Sequence, residues 1–260
     1  MTRLQLSIIA SAIALFFVLY FGCETQPKKQ QLLEKSRALA AERTDATTLI
    51  EEAFATLAPA ERSAIETLAA QAEAAGNDTA QAPALYRQLS GEWYKAGFQA
   101  IAGYYAQLAA EAVNDDQSWS IAGTTYLLCF QQAPDEKSKS FCLPRAITAF
   151  ENAISIAPEN VTHRVNLALC YVESPPQDNP MKGILMLRDL NDKYPDNTAV
   201  INQLARLAIK TGQYDRAIER LNEALQLNPD DVNANCLMAL ALEETGKAEE
   251  AAKFALKCPK

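Results

Sequence analysis

The chain has 260 residues, of which 49% are hydrophobic and 22% charged, and its formal net charge is −8. This is an ordinary globular composition that can bury a sizeable core. The acidic balance and the lack of a basic stripe exclude nucleic acid as an expected partner, and sparse glycine with abundant alanine favours helix over sheet.

The first residues differ from the rest of the chain. The segment LQLSIIASAIALFFVLYFG, residues 4–22, is uncharged and almost wholly apolar. At about 1.5 Å per residue, a helix of this length just crosses about 30 Å of hydrocarbon. We therefore expect residues 1–23 to be a retained single-pass transmembrane anchor.

Two alternatives to a retained anchor stay open. One is a lipoprotein signal that ends at Gly22 with Cys23 as the lipidated residue, although Tyr20 and Phe21 are bulky for such a signal. The other is a cleaved signal peptide, for which the chain lacks a small-x-small site after the apolar run.

The charges around this segment leave its orientation open. Arg3 precedes it and Lys28, Lys29, Lys35 and Arg37 follow it, so the positive-inside rule places the body in the cytoplasm. A short tail with one arginine before an apolar run is also the form of an export signal. We expect an inner-membrane protein with a periplasmic body, and keep a cytoplasmic body or a lipoprotein as alternatives.

Residues 24–80 are predicted to form a helical stalk or N-terminal cap. An apolar face at helical spacing comprises Leu49, Ile50, Ala53, Phe54 and Leu57. A dimerising coiled coil is the alternative, but clean heptads are too few to favour it.

The C-terminal half contains an internal repeat of 34 residues. The first copy comprises Leu204, Ala205, Ala208, Gly212, Ala217, Leu221 and Ala224, and Pro229 follows it. The second copy comprises Met238, Ala239, Leu242, Gly246, Ala251, Ala255 and Cys258. Small residues at these positions let two antiparallel helices approach closely, Ala205 against Ala217, with Gly212 in the turn.

This period and pattern resemble the tetratricopeptide repeat (TPR) family. Earlier units carry parts of the same signature, such as Trp119, Ala122, Gly123 and Tyr126, or Ala146, Phe150 and Ala153. The resemblance implies an all-α fold, an α-solenoid of about five helix hairpins over residues 81–260. The units are expected at about 83–115, 116–160, 161–197, 198–231 and 232–260.

The second unit is longer than the others. The small residues of its two helices, Gly123 and Ala146, are 23 positions apart, whereas Ala205 and Ala217 are 12 apart. The difference predicts an enlarged turn, an 11-residue insertion within LCFQQAPDEKSKSFCLPRA, residues 128–146. Cys129 is expected in the last turn of one helix, and Cys142 just before the next, which Pro144 can open.

The cysteines leave the compartment open. Cys129 and Cys142 are candidates for a disulfide if the body is exported, and for two thiols if it is cytoplasmic. Cys170, Cys236 and Cys258 are expected to be small hydrophobes at helix positions.

No catalytic, cofactor or metal site is predicted. His163 is the single histidine, so a triad or a histidine-rich metal site lacks its parts. His163 is expected to make a surface or inter-repeat contact, and the protein is expected not to be an enzyme.

The resemblance implies a concave surface lined by the first helix of each unit. Its peptide-groove candidates are Arg87, Tyr94, Lys95, Thr124, Val165, Asn166, Leu169, Asn202, Arg206 and Lys210. They form a mixed groove with two cationic patches, suited to an extended peptide or a partner helix. Of the carboxylate-clamping motif of one sub-class only Asn166 is matched, so clamping of chaperone tails is not expected.

The expected function is a membrane-anchored scaffold or adaptor that binds other proteins. The chain resembles bacterial single-pass accessory proteins that assist secretion, envelope assembly or protein maturation. The alternatives are a holdase-like chaperone and a self-associating structural envelope protein. The last unit lacks an extra solvating helix, so a homo-oligomer through this C-terminal unit is a further expectation.

Overall fold

The computed structural model describes residues 46–76 and 78–259, together with Gln5. The expected anchor, apart from Gln5, and the lipidation candidate Cys23 lie outside the described residues. Within the described part of the chain, no helix is both long and apolar enough to cross a membrane. The described residues from 46 onward belong to one compact unit.

The described residues of this unit form twelve α-helices and no strand. The helices are α1 (Ala46–Phe54), α2 (Pro59–Ala75), α3 (Ala82–Lys95), α4 (Gln99–Val113), α5 (Asp116–Gln132), α6 (Glu136–Ile156), α7 (Val161–Glu173), α8 (Lys182–Lys193), α9 (Thr198–Lys210), α10 (Tyr214–Leu227), α11 (Val232–Glu244) and α12 (Ala248–Ala255). The prediction of an all-α helical-repeat fold is confirmed for this part of the chain.

From α3 onward the helices pack in consecutive pairs, as the small-residue pattern predicts. In the pair α9–α10, Ala205 and Ala217 are both fully buried in one core, where a larger side chain would hold the helices apart. Gly212 has a positive φ of 71° between them, a conformation that costs glycine little. The backbone N–H of Gln213 donates to the carbonyl of Ala208 at 2.8 Å and closes the turn.

Helices α1 and α2 pack as a cap on the first pair. The Phe54 ring lies edge-on to Trp93 with centroids 5.3 Å apart, and Ile65 is buried in the same core. Lys137 Nζ, near the start of α6, lies 2.7 Å from Glu52 of α1. Within 46–76 the packing is therefore that of a cap and not of a free stalk.

The prediction of an enlarged turn in the second unit is wrong. Helix α5 runs to Gln132 and α6 begins at Glu136, so three residues connect them and the extra length extends both helices. The Asp135 carboxylate accepts the backbone N–H of Ser138 at 2.8 Å and caps α6. The polar residues after this cap contain no helix breaker until Pro144, so they continue a helix instead of forming a loop.

The predicted positions of Cys142 and Pro144 are wrong for the same reason. Cys129 lies in the last turn of α5, where it was expected, but Cys142 lies inside α6. Pro144 does not open this helix, since it also lies in its interior.

Four of the described cysteines form two disulfides. Cys129 and Cys142 join α5 to α6 with Cα atoms 6.1 Å apart. Cys236 and Cys258 also pair, with Cα atoms 5.4 Å apart, so the expectation of two separate buried hydrophobes is wrong for them. The reason is that α12 ends at Ala255, and the chain after it returns to α11.

Candidate functional site

The first helices of successive pairs lie side by side. Helix α5 contacts α7, α7 contacts α9, and α9 contacts α11. The predicted peptide groove should therefore be formed by the outward-facing residues of these helices.

Three of the predicted groove residues meet between α3 and α5. We call this cleft the N-terminal groove; its volume is about 400 Å³. Its lining includes Arg87, Tyr94 and Lys95 from α3, Ala106 and Ala109 from α4, and Ile121 and Thr125 from α5. The alanines are buried and form an apolar floor.

Two large side chains of the N-terminal groove remain in contact with solvent. Tyr94 is 44% exposed and Ile121 is 50% exposed. Arg87 is exposed and takes part in no ion pair among the described residues, whereas Lys95 Nζ lies 2.7 Å from Glu92. The groove thus offers an apolar surface, a phenol and one unpaired guanidinium.

A second, more polar cleft lies between α5 and α7. Thr124, another predicted groove residue, lines it with Ser120, Asp116 and His163, and its volume is about 430 Å³. His163 is 3% exposed, and its Nε2 lies 2.8 Å from Asp116 Oδ2. This hydrogen bond lowers the pKa of the Asp116 carboxyl below its usual value. His163 therefore makes an inter-repeat contact between the second and third units.

The C-terminal groove candidates have different environments. Asn202 is 4% exposed, and its Nδ2 donates to Asp231 Oδ2 at 3.0 Å, while Asp231 Oδ1 accepts the backbone N–H of Ala234. Contrary to the prediction, Asn202 therefore connects α9 to the N-cap of α11 and does not line an open groove.

The remaining candidates are only partly available to a ligand. Val165 is buried, contrary to the prediction, and Asn166 and Leu169 are half-buried. Arg206 is exposed, but Lys210 Nζ lies 3.5 Å from Glu173 of α7, so a carboxylate partly neutralises the predicted second cationic patch. Residues from α3 and α5 consequently form the best-defined part of the candidate site.

The described residues contain no group of three or more histidine, cysteine or acidic side chains that could hold a metal ion. Cys170 is the one thiol outside the two disulfides in this part of the chain, and burial raises its pKa to about 12. A thiol so hard to ionise is a poor nucleophile.

In the comparisons with known proteins, two repeat models match the C-terminal part of the chain. A tetratricopeptide repeat model matches residues 182–225, and a TPR repeat model matches residues 206–246. These matches cover the third to fifth units in part. No curated protein matches the chain.

One solved structure supports the helical-repeat fold, and a second is reported beside it. A thermophilic TPR protein of Thermus thermophilus, TTC0263, is 21% identical with a TM-score of 0.51, and the match covers 66% of this chain and 87% of that one. MamA from Desulfovibrio magneticus RS-1 is 16% identical with a TM-score of 0.41, covering 67% of this chain and 92% of that one. At this identity the Thermus protein supports the fold alone.

Proposed function

We propose that the protein is a scaffold that binds a segment of a partner protein in the N-terminal groove. The observation that carries the proposal is the placement of exposed Tyr94 and Ile121 on an apolar floor beside Arg87, a cation without an ion pair to any described residue. A cleft of about 300–1,000 Å³ with apolar walls and few polar groups is the usual form of a ligand site.

The groove residues divide the recognition between them. An apolar side chain of the partner that covers Tyr94 and Ile121 lowers the free energy of the complex, because it removes apolar surface from water. Arg87 donates hydrogen bonds to a carboxylate or a backbone carbonyl of the bound segment. Lys95 contributes less, because Glu92 already satisfies its charge.

We also propose that residues 4–22 anchor this scaffold in a membrane, with the body on the exported side. The two disulfides support that side, because disulfides form in oxidising compartments and are rare in the cytosol. On this proposal the scaffold serves envelope assembly, secretion or protein maturation.

Site-specific photocrosslinking in cells tests the binding proposal. We would place p-benzoylphenylalanine at Tyr94, and at Ile156 as a control, since Ile156 is 41% exposed and lies outside the groove. One stoichiometric partner captured at position 94 and not at 156 is expected of an adaptor. Many captured clients, with suppressed aggregation of a test protein, would instead identify a holdase. Adducts with a second copy alone would identify a self-associating envelope protein.

Thiol labelling in intact cells tests the location. A membrane-impermeant maleimide should label a cysteine placed at exposed Gln88 if the body is exported, whereas labelling only after lysis would place the body in the cytoplasm. The intact mass from the same cells would report whether Cys23 carries a lipid.

A further inference from the structure

A third cleft lies between α8, α9 and α10, away from the N-terminal groove. We call it the arginine groove; its volume is about 400 Å³. Its lining includes Arg188 from α8, Arg216 and Arg220 from α10, and the apolar side chains Met181, Ile184 and Leu207. It lies in the third and fourth units, whereas the N-terminal groove belongs to the first and second.

The charges of the arginine groove are unbalanced. No aspartate or glutamate lines it, and none of its three arginines forms an ion pair with a described residue. Arg216 Nη1 donates to the neutral Gln213 Oε1 at 2.8 Å. By contrast, six lysines on the described surface each lie within 4.0 Å of a carboxylate. Three uncompensated cations in one cleft are unexpected in a chain of net charge −8.

The apolar side chains of the arginine groove indicate that its ligand also has an apolar part. Met181 is 50% exposed, and Ile184 and Leu207 are half-buried beside it. Arg220 is also half-buried, so it has lost part of its hydration without gaining a charged partner among the described residues. A guanidinium in this state gains most from a carboxylate that it can bind with two parallel hydrogen bonds.

We propose that the arginine groove binds an acidic, amphipathic segment of a partner protein. Carboxylates of the segment pair with Arg188, Arg216 and Arg220, and an apolar side chain of it covers Met181 and Ile184. The charge complementarity selects this occupant. An anionic bilayer fits less well, because it would also meet the acidic surface that gives the chain its negative charge. With the N-terminal groove occupied separately, the scaffold would hold two protein segments at once.

Selection from a library of displayed random twelve-residue peptides tests the proposal on the full chain. We expect enrichment of peptides with at least two acidic residues and one apolar residue. Their affinity, measured by fluorescence anisotropy, should fall about tenfold in the triple variant R188Q/R216Q/R220Q. Because the arginines are exposed or half-buried and unpaired, circular dichroism should show the same melting curve for this variant.

A matched variant removes the same charge elsewhere. R164Q/K247Q/K253Q alters three basic residues that lie outside the cleft and form no ion pair with a described residue. The acidic peptides should bind it almost as tightly as the unaltered chain. An equal loss of peptide affinity in both variants would overturn the proposal in favour of non-specific electrostatic attraction. Enrichment of peptides without an acidic bias would also overturn it. Phosphatidylglycerol vesicles provide the lipid arm: arginine-dependent vesicle binding without any acidic peptide would overturn it in favour of a membrane surface.

Discussion

The second and fourth units build the same helix hairpin in different ways. The fourth has helices of 13 and 14 residues joined through Gly212, and no disulfide crosses it. The second has helices of 17 and 21 residues, a turn without glycine and a disulfide between them. The repeat pattern thus specifies the residues at which the two helices touch and leaves the helix lengths free, provided that other interactions stabilise the extension.

The largest expected effect comes from removing the disulfide of the second unit. The double variant C129A/C142A should lose about 3 kcal/mol of unfolding free energy, because the bridge restricts the unfolded chain over a short loop. Urea denaturation measures the loss. Dithiothreitol should destabilise the unaltered chain more than the variant, and equal sensitivity of the two would contradict the prediction.

The close contact between α5 and α6 provides the next test. A Cβ added at Gly123 would lie 2.7 Å from the Phe150 ring, so G123A should cost about 2 kcal/mol by overpacking. G91A is the matched control, since nothing lies within 4 Å of its added Cβ. That variant should be neutral or gain up to about 1 kcal/mol from helix propensity. Equal stability of the two variants in thermal melts would refute the close packing.

Different substitutions should destabilise the turn between α5 and α6 and the turn between α9 and α10. D135A should cost about 1 kcal/mol, because the first turn of α6 loses its side-chain cap. G212A should cost about 1 kcal/mol for another reason, since alanine is strained at a φ of 71°. The neighbouring control E136A should change the stability by less than either. Hydrogen exchange at each turn would show whether the loss is local to the altered unit.

The smallest effect concerns pH and the contact between the second and third units. The pKa of Asp116 is lowered by its hydrogen bond to His163, so the folded state binds this proton less readily than the unfolded chain. The stability that this hydrogen bond contributes is fully present above the pKa of Asp116 in the unfolded chain. It is lost as the pH falls through the lower pKa of Asp116 in the folded state. D116N should therefore flatten the acid limb of the stability curve below about pH 4. An unchanged limb in pH titrations of urea unfolding would disprove the contribution.

Much of the fold was predictable because a close helix contact needs small side chains at fixed positions. Ala205, Ala217 and Gly212 occupy the places that the 34-residue period assigns to them. The enlarged turn was wrong because a spacing counts residues and does not state their conformation. The same number of residues can extend the helix before the turn and, after the Asp135 cap, the helix that follows it. The pairing of Cys258 was missed because the period placed it inside a helix that ends earlier.

The site was predictable where exposure follows from helix position alone. Arg87, Tyr94 and Lys95 share the outward face of one helix and meet in one groove. Asn202 holds a similar position, but packing against the following unit buries it, and only the tertiary structure shows that. The arginine groove draws its residues from several helices of two units, and the spacing of Arg216 and Arg220 by four residues was its sole local signal.

The bridge between α5 and α6 has a mechanical consequence. A chain pulled from its two ends gains length as each helix pair unravels, at about 3.5 Å per residue. Cys129 and Cys142 are 13 apart in sequence, and the segment between them cannot be extended while the bridge is intact. The second unit should therefore release about 45 Å less contour length than its number of residues allows. Its rupture in a single-molecule force trace would identify it among its neighbours, and adding a reductant would restore the missing length.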